Sequence, residues 1–193
     1  MYIERAKEIP SEIKKKLFNE IPIIENDRLI LKRLESGDTS SLYEFIENDD
    51  IYRYLPTFLF EKQYSDMNEM IEKLYTECFD AKDSIILGIY LKEKMSFCGL
   101  AEFYGYKDMI HKTCIGYRLL QKQWGRGIAS EAVSLMIDYL YGETDIEIIT
   151  ASTMIENKAS ARVLEKNGFI RTSRSVPEDW GFETPTIADK WFR

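Results

Sequence analysis

Cysteine and histidine are scarce in this 193-residue chain: three Cys (Cys78, Cys98, Cys114) and one His (His111), with wide gaps between them. An odd, dispersed set of thiols gives no disulfide framework, and a lone imidazole without neighbouring thiols gives no zinc-ligand spacing. Long apolar runs are missing too. The stretch from Ile85 to Tyr90 is broken by Gly88 and falls far short of a bilayer crossing. The first residues, Met1-Tyr2-Ile3-Glu4-Arg5, lack the apolar core and cleavage site of a secretory signal. Basic residues are outnumbered, and 26 Lys and Arg against 33 Asp and Glu leave a net charge of −7. That balance excludes a generic nucleic-acid binder, which needs a basic surface, and it tolerates cationic partners such as amines. Together these absences predict a cytoplasmic protein with reduced thiols, no metal, and no nucleic-acid or membrane partner.

What is present is a globular composition, with 45% hydrophobic residues and a length suited to one domain plus a short extension. Residues 1–22 read as that extension. Ile9, Ile13, Leu17 and Ile21 recur every four residues, which predicts an amphipathic helix over about 8–20, stopped by Pro22. It would pack on the domain or on a second copy of the chain in a homodimer. The domain itself is placed at 23–193. Residues 28–34 read as its first strand, and Asp38 as the N-cap of a helix to about 48. An aromatic loop broken by Pro56 follows, then a helix over about 61–81 and strands over 84–92, 97–106 and 113–120 joined as hairpins. From Gly127 the period becomes helical and ends near Gly142. A strand over 145–153, a helix from Asn157 to Asn167 with Gly168 at its end, and strands near 169–175 and 187–192 complete an α+β, or mixed α/β, fold.

The chemistry concentrates in two segments. In the first, Ile115-Gly116-Tyr117-Arg118-Leu119-Leu120 runs through a polar turn into Trp124-Gly125-Arg126-Gly127-Ile128-Ala129-Ser130-Glu131-Ala132. Glycines and small residues ahead of an amphipathic helix let backbone N–H groups approach an anion, and the helix N-terminus adds its positive dipole. A P-loop would place Lys and Ser or Thr where Ile128 and Ala129 stand. A dinucleotide fingerprint would need Gly or Ala at Ser130, and most of a doubly wound domain beyond it.

The second segment, Asn157-Lys158-Ala159-Ser160-Ala161-Arg162-Val163-Leu164-Glu165-Lys166-Asn167-Gly168-Phe169, adds the decisive pattern. With the first segment, and with Asn26-Asp27-Arg28-Leu29-Ile30-Leu31 as an opening strand, the chain from about 26 onward resembles the GNAT superfamily of acetyl-CoA-dependent N-acyltransferases. The likeness is closest to the branch that acetylates the N-terminal alanine of ribosomal proteins. The resemblance implies a twisted mixed sheet, flanked by helices, whose central parallel strands splay apart around acetyl-CoA. It implies that the backbone of Leu119 and Leu120 pairs with the pantetheine arm like an added strand. It also implies that Trp124, Gly125, Arg126, Gly127, Ile128, Ala129 and Ser130 form the pyrophosphate loop, and that Asn157 contacts the cofactor arm. Trp124 stands where the superfamily commonly has Gln or Arg, as it does in this branch. Leu164 stands where many members carry a Tyr general acid, and Ser160 matches the serine thought to serve instead.

Acyl transfer to an amine needs a neutral amine and a proton for the departing thiolate. Glu102, on an apolar strand, is the candidate base, with Tyr104 and Tyr117 as further polar groups; His111 falls in a surface turn. The aromatic residues 52–60 and Trp180-Gly181-Phe182 are expected to line the acceptor pocket. No cysteine falls in a matched motif beside a base, so direct attack is expected, without an acetyl-enzyme. The expected acceptor is a protein or peptide α-amine. A small-molecule amine such as a polyamine, an amino acid or an aminoglycoside is the alternative, and an inactive acyl-CoA-binding module is the rival outside enzymology.

Overall fold

Runs rich in Ile, Leu and aromatics build the sheet in the computed structural model, which describes residues 14–193. In chain order the elements are β1 (Ile24–Glu25), β2 (Leu29–Lys32), α1 (Thr39–Ile46), α2 (Asp49–Tyr52), α3 (Met67–Lys73), β3 (Ser84–Leu91), β4 (Ser96–Lys107) and β5 (Lys112–Leu119). The second half adds α4 (Ile128–Glu143), β6 (Ile148–Met154), α5 (Lys158–Lys166), β7 (Ile170–Glu178) and β8 (Thr186–Phe192). The eight strands form one sheet in the order β1-β2-β3-β4-β5-β6-β8-β7. Every neighbouring pair is antiparallel except β5 and β6.

That exception makes the site. β5 and β6 pair only at Lys112↔Ile148, Thr113↔Ile149 and Cys114↔Thr150. Beyond Cys114, β5 keeps β4 as its partner, and beyond Thr150, β6 keeps β8. The two strands therefore open like a V toward their C-terminal ends. This is the mixed α/β sheet with splayed central strands that the resemblance implies.

Each face of the sheet has its own core. Leu29, Leu31, Leu87, Phe103 and Ile115 pack with Ile128, Ala132, Met136 and Leu140 of α4. On the other face Ile86, Tyr90 and Leu100 pack with Leu42 and Phe45 of α1 and with Met70 and Ile71 of α3. β3 is buried on both faces, hence the apolar residues at successive positions on either side of Gly88.

Four local expectations differ from the structure. The helix expected over 8–20 lies partly outside the described residues, and the remainder is an extended segment and one 3₁₀ turn, Leu17–Asn19. Here Lys15 exchanges backbone hydrogen bonds with Glu143 and Asp145, and Leu17 is fully buried in the core, so tertiary pairing overrides helical periodicity. Asp38 occupies the N-cap of α1 but turns its carboxylate to the Glu35 N–H and the Tyr90 hydroxyl. The long helix expected over 61–81 is interrupted: a 3₁₀ turn, Phe60–Gln63, precedes α3, whose cap is Asp66, and a π turn, Leu74–Cys78, follows. The short α2, capped by Asn48, carries helix into Tyr52, the first residue of the aromatic loop.

Candidate active site

The loop between β5 and α4 is shaped by two glycines. Gly125 (φ +71°) and Gly127 (φ +78°) adopt the left-handed conformation that disfavours side chains. A Cβ at either would meet no protein atom within 4 Å. Open space therefore lies over both. The first α4 hydrogen bond runs from the Glu131 N–H to the Gly127 carbonyl, so the N–H groups of Ile128, Ala129 and Ser130 have no intrahelical partner. Gly127 supplies no side-chain cap either. The result is a cradle of backbone donors at the positive end of a 16-residue helix.

Distant residues hold this cradle in place. Glu131 in the first turn of α4 accepts from Arg28 (2.7 Å) and from the Asn26 amide (2.8 Å), while Arg28 also donates to the Arg126 carbonyl (3.1 Å). Arg126 itself reaches the Gln123 side chain. The Asn167 amide donates to the carbonyl and hydroxyl of Ser130, tying α5 to the start of α4. Asn167 stands at the end of the Asn157–Gly168 pattern, and nothing in its spacing marks it as a tie.

Along the opened edge, backbone directions follow from the ladder. The Leu120 N–H donates to the Cys98 carbonyl (2.9 Å), so alternation turns the backbone groups of Tyr117 and Leu119 away from β4, toward the gap. The Trp124 indole N–H takes the Leu119 carbonyl (2.9 Å). The edge available to a ligand thus comes from the Leu119 N–H and the backbone of Tyr117, whereas Leu120, expected there too, has its N–H committed to β4.

A cleft of about 1,680 Å³ runs through the V and is lined by the loop, by β5, by the start of α5 and by the aromatic segment. At its α5 side Asn157 caps the helix, its side-chain oxygen accepting the Ser160 N–H (3.1 Å). The Ser160 hydroxyl lies 2.8 Å from the Tyr117 hydroxyl, which also reaches the Ser160 carbonyl (3.2 Å). Burial pushes the Tyr117 phenol well above its ordinary value, so it stays protonated at neutral pH. Leu164 is buried in the core and offers no proton.

On the opposite face of the sheet, Glu102 of β4 lines the cleft but is engaged. Its Oε2 accepts from Arg118 (2.8 Å) and its Oε1 from the Ser84 hydroxyl (2.7 Å). Tyr104, beside it, is held protonated by burial. Sequence reasoning selected Glu102 and missed Arg118, whose position inside a strand reads as an ordinary polar residue. His111 sits at the base of β5, 3.0 Å from Asp145, and does not line the cleft. At the mouth, the Trp180 carbonyl accepts from the Thr57 N–H (2.9 Å), joining the aromatic segment to the β7–β8 loop. Among the described residues no group of three or more His, Cys, Asp or Glu is placed to hold a metal ion, and no helix is long and apolar enough to cross a membrane.

The donor cradle, the unpaired strand edge and the size of the cleft fit a long ligand with a pyrophosphate and an amide-bearing arm, the chemistry of acetyl-CoA. Known proteins agree. Residues 28–170 match the family described as Acetyltransferase (GNAT) domain. The Bacillus subtilis (strain 168) protein named uncharacterized N-acetyltransferase YoaA is 30% identical over 150 residues, 77% of this chain and 82% of that protein. Among solved structures, RimL, a ribosomal L7/L12 alpha-N-protein acetyltransferase in complex with coenzyme A, superposes with a TM-score of 0.75 at 15% identity, over 89% of this chain and 97% of its own. Spermidine N-acetyltransferase from Vibrio cholerae, in complex with CoA and spermine, gives 0.71 at 20% identity, over 87% and 96%. The chain belongs to the GNAT family and is an acetyl-CoA-dependent N-acetyltransferase.

Proposed function

We propose that this enzyme acetylates the α-amino group of a protein or peptide, a ribosomal protein being the leading case, by direct attack of the neutral amine in a ternary complex. In this reading residues 23–193 are the acetyltransferase domain and 1–22 its extension. When bound, acetyl-CoA supplies an acetyl group activated as a thioester. The N–H groups of the Gly125–Ser130 loop and α4 hold its pyrophosphate, Leu119 and Tyr117 offer backbone partners to its arm, and Asn157 orients it. Ser160 donates a proton to the departing sulfur and is restored by the proton that the nitrogen sheds as the amide forms, with the Tyr117 hydroxyl bonded behind it. The amine is received on the Glu102 face, where Tyr54, Phe58, Phe60 and Trp180 surround it.

The observation that carries the α-amine reading is the commitment of Glu102 to Arg118 and Ser84. The only imidazole of the chain is paired elsewhere, and the nearby phenol of Tyr104 is held protonated. With Glu102, Tyr104 and His111 all occupied in this way, the site suits an α-amine of pKa about 7.7–8.0 better than a Lys amine near about 10.4. A second reading, a small polyamine, draws on Asp83, Glu102, Glu178 and Asp179 in the cleft lining. Thiol release from acetyl-CoA at pH 7 decides among them. The free-α-amine peptide should outpace both the same peptide blocked at its N-terminus with an internal Lys and spermidine. Faster turnover of spermidine or of the blocked peptide overturns the α-amine reading, and release with no amine tested favours the inactive binding module.

A further inference from the structure

The Arg118 side chain is 3% exposed, and it meets two carboxylates. Glu61 grips it with both oxygens, Nε to Oε1 and NH2 to Oε2 each at 2.6 Å, and NH1 reaches Glu102 Oε2 at 2.8 Å. One guanidinium is thus shared between two carboxyl groups. The Tyr52 hydroxyl (3.1 Å to Glu61) and the Ser84 hydroxyl (2.7 Å to Glu102) supply the remaining donors. Such a cluster is poor at stabilising a fold compared with apolar residues of the same volume, so its retention at the cleft asks for another role.

The geometry supplies one. Glu61 belongs to the segment that carries Tyr54, Phe58 and Phe60 over the cleft mouth. That segment is pinned a second time at Thr57, against the Trp180 carbonyl. Gly181 (φ +81°) lies so near that a Cβ on it would stand 2.0 Å from the Thr57 hydroxyl. Arg118 is therefore the link between the mouth and the Glu102 floor.

Resting on the reading that the amine enters on the Glu102 face, we infer that Arg118 is the positioning residue for the acceptor. Its forked guanidinium sets the aromatic segment through Glu61 and the orientation of Glu102 at once. Lys cannot replace it, because an ammonium offers no planar fork for two carboxylates.

The test uses Glu61→Gln, Arg118→Lys and Arg118→Met in the full chain, with an alanine-initiated free-α-amine peptide and spermidine as probe acceptors. Glu61→Gln and Arg118→Lys should each raise the KM of the accepted probe at least tenfold while kcat changes less. Acetyl-CoA affinity should stay within twofold of wild type. Amide hydrogen exchange should speed at least tenfold over residues 54–63 and stay unchanged in β3 and β4. The isosteric Glu61→Gln keeps the test open where Arg118→Met fails to fold. Faster exchange with an unaltered KM overturns the acceptor role, and unaltered exchange with a lowered Tm reduces the cluster to a structural ion pair. The exchange readout needs no acceptor, so turnover of spermidine alone would sink the α-amine reading and leave the positioning role standing on its own data.

Discussion

Replacing Gly127 by alanine separates the cradle from the fold. At φ +78° an L side chain costs roughly 1–2 kcal/mol, and alanine recovers about 0.4–1 kcal/mol by restricting the unfolded chain. No protein atom lies within 4 Å of the new methyl, so no clash adds to this. The net loss of about 1 kcal/mol corresponds to a fall of about 2–4 °C in Tm for a chain of this size. Binding should suffer far more. The methyl projects into the open space above the first N–H groups of α4, where a phosphate must approach. Losing two hydrogen bonds to a charged group, at about 1.5–3 kcal/mol each, removes about 3–6 kcal/mol. In affinity for acetyl-CoA this is a drop of about 10²- to 10⁴-fold, readable by calorimetry beside a thermal melt. Valine should exceed alanine in both effects. A Gly127→Ala protein that melts slightly lower and still binds within threefold of wild type would refute the cradle.

Ser160→Ala should lower kcat by roughly 10- to 1,000-fold with acetyl-CoA affinity nearly unchanged, and the loss should shrink with a donor whose leaving thiol has a lower pKa; an equal loss with both donors would mean that Ser160 only positions the substrate. Asn157→Ala should cost about 1 kcal/mol through the missing cap and also weaken turnover; wild-type activity per folded molecule would leave Asn157 as a cap alone. Leu17→Ala should destabilise the domain by about 2–5 kcal/mol in a denaturant titration, because the side chain is fully buried. A change below about 0.5 kcal/mol would detach residues 14–20 from the folding unit.

Legibility followed the range of the interactions. The β3, β4 and β5 strands, α4 and α5 carry their own periodicity, caps and terminal glycines, and each lies within a few residues of its expected place. Asn157 caps α5 because a side-chain acceptor three residues before Ser160 is a local device. Elements decided by distant partners were not legible. Residues 14–20 are captured by Glu143, Thr144 and Asp145, and Glu61, expected to open a long helix, lies instead in a 3₁₀ turn against Arg118, with α3 starting only after Asp66. The anchors Arg28, Asn26 and Asn167 act across long sequence separations, so spacing alone says nothing of them. The Ser160–Tyr117 contact joins residues 43 apart; both were named as polar candidates, and only the fold puts them together.

The same strand serves two chemistries because its side chains alternate. Ile115, Tyr117 and Leu119 face α4 and α5, where Tyr117 meets Ser160, while Gly116 and Arg118 face the side of Glu102 and Glu61. A slip of one residue between β4 and β5 would exchange these faces, burying the guanidinium beside Ser160 and leaving the two carboxylates unpaired. The ladder is built against such a slip where it matters. Pairing runs without interruption from Gly99↔Leu119 to Tyr104↔Cys114, and the one register shift lies between Tyr104 and Lys107, before β5 reaches the V. Gly99 reinforces that register, since a Cβ there would stand 2.1 Å from the Arg118 carbonyl. The register of β4 and β5 thereby fixes which face carries Arg118 and Glu102 and which carries Tyr117 and Ser160.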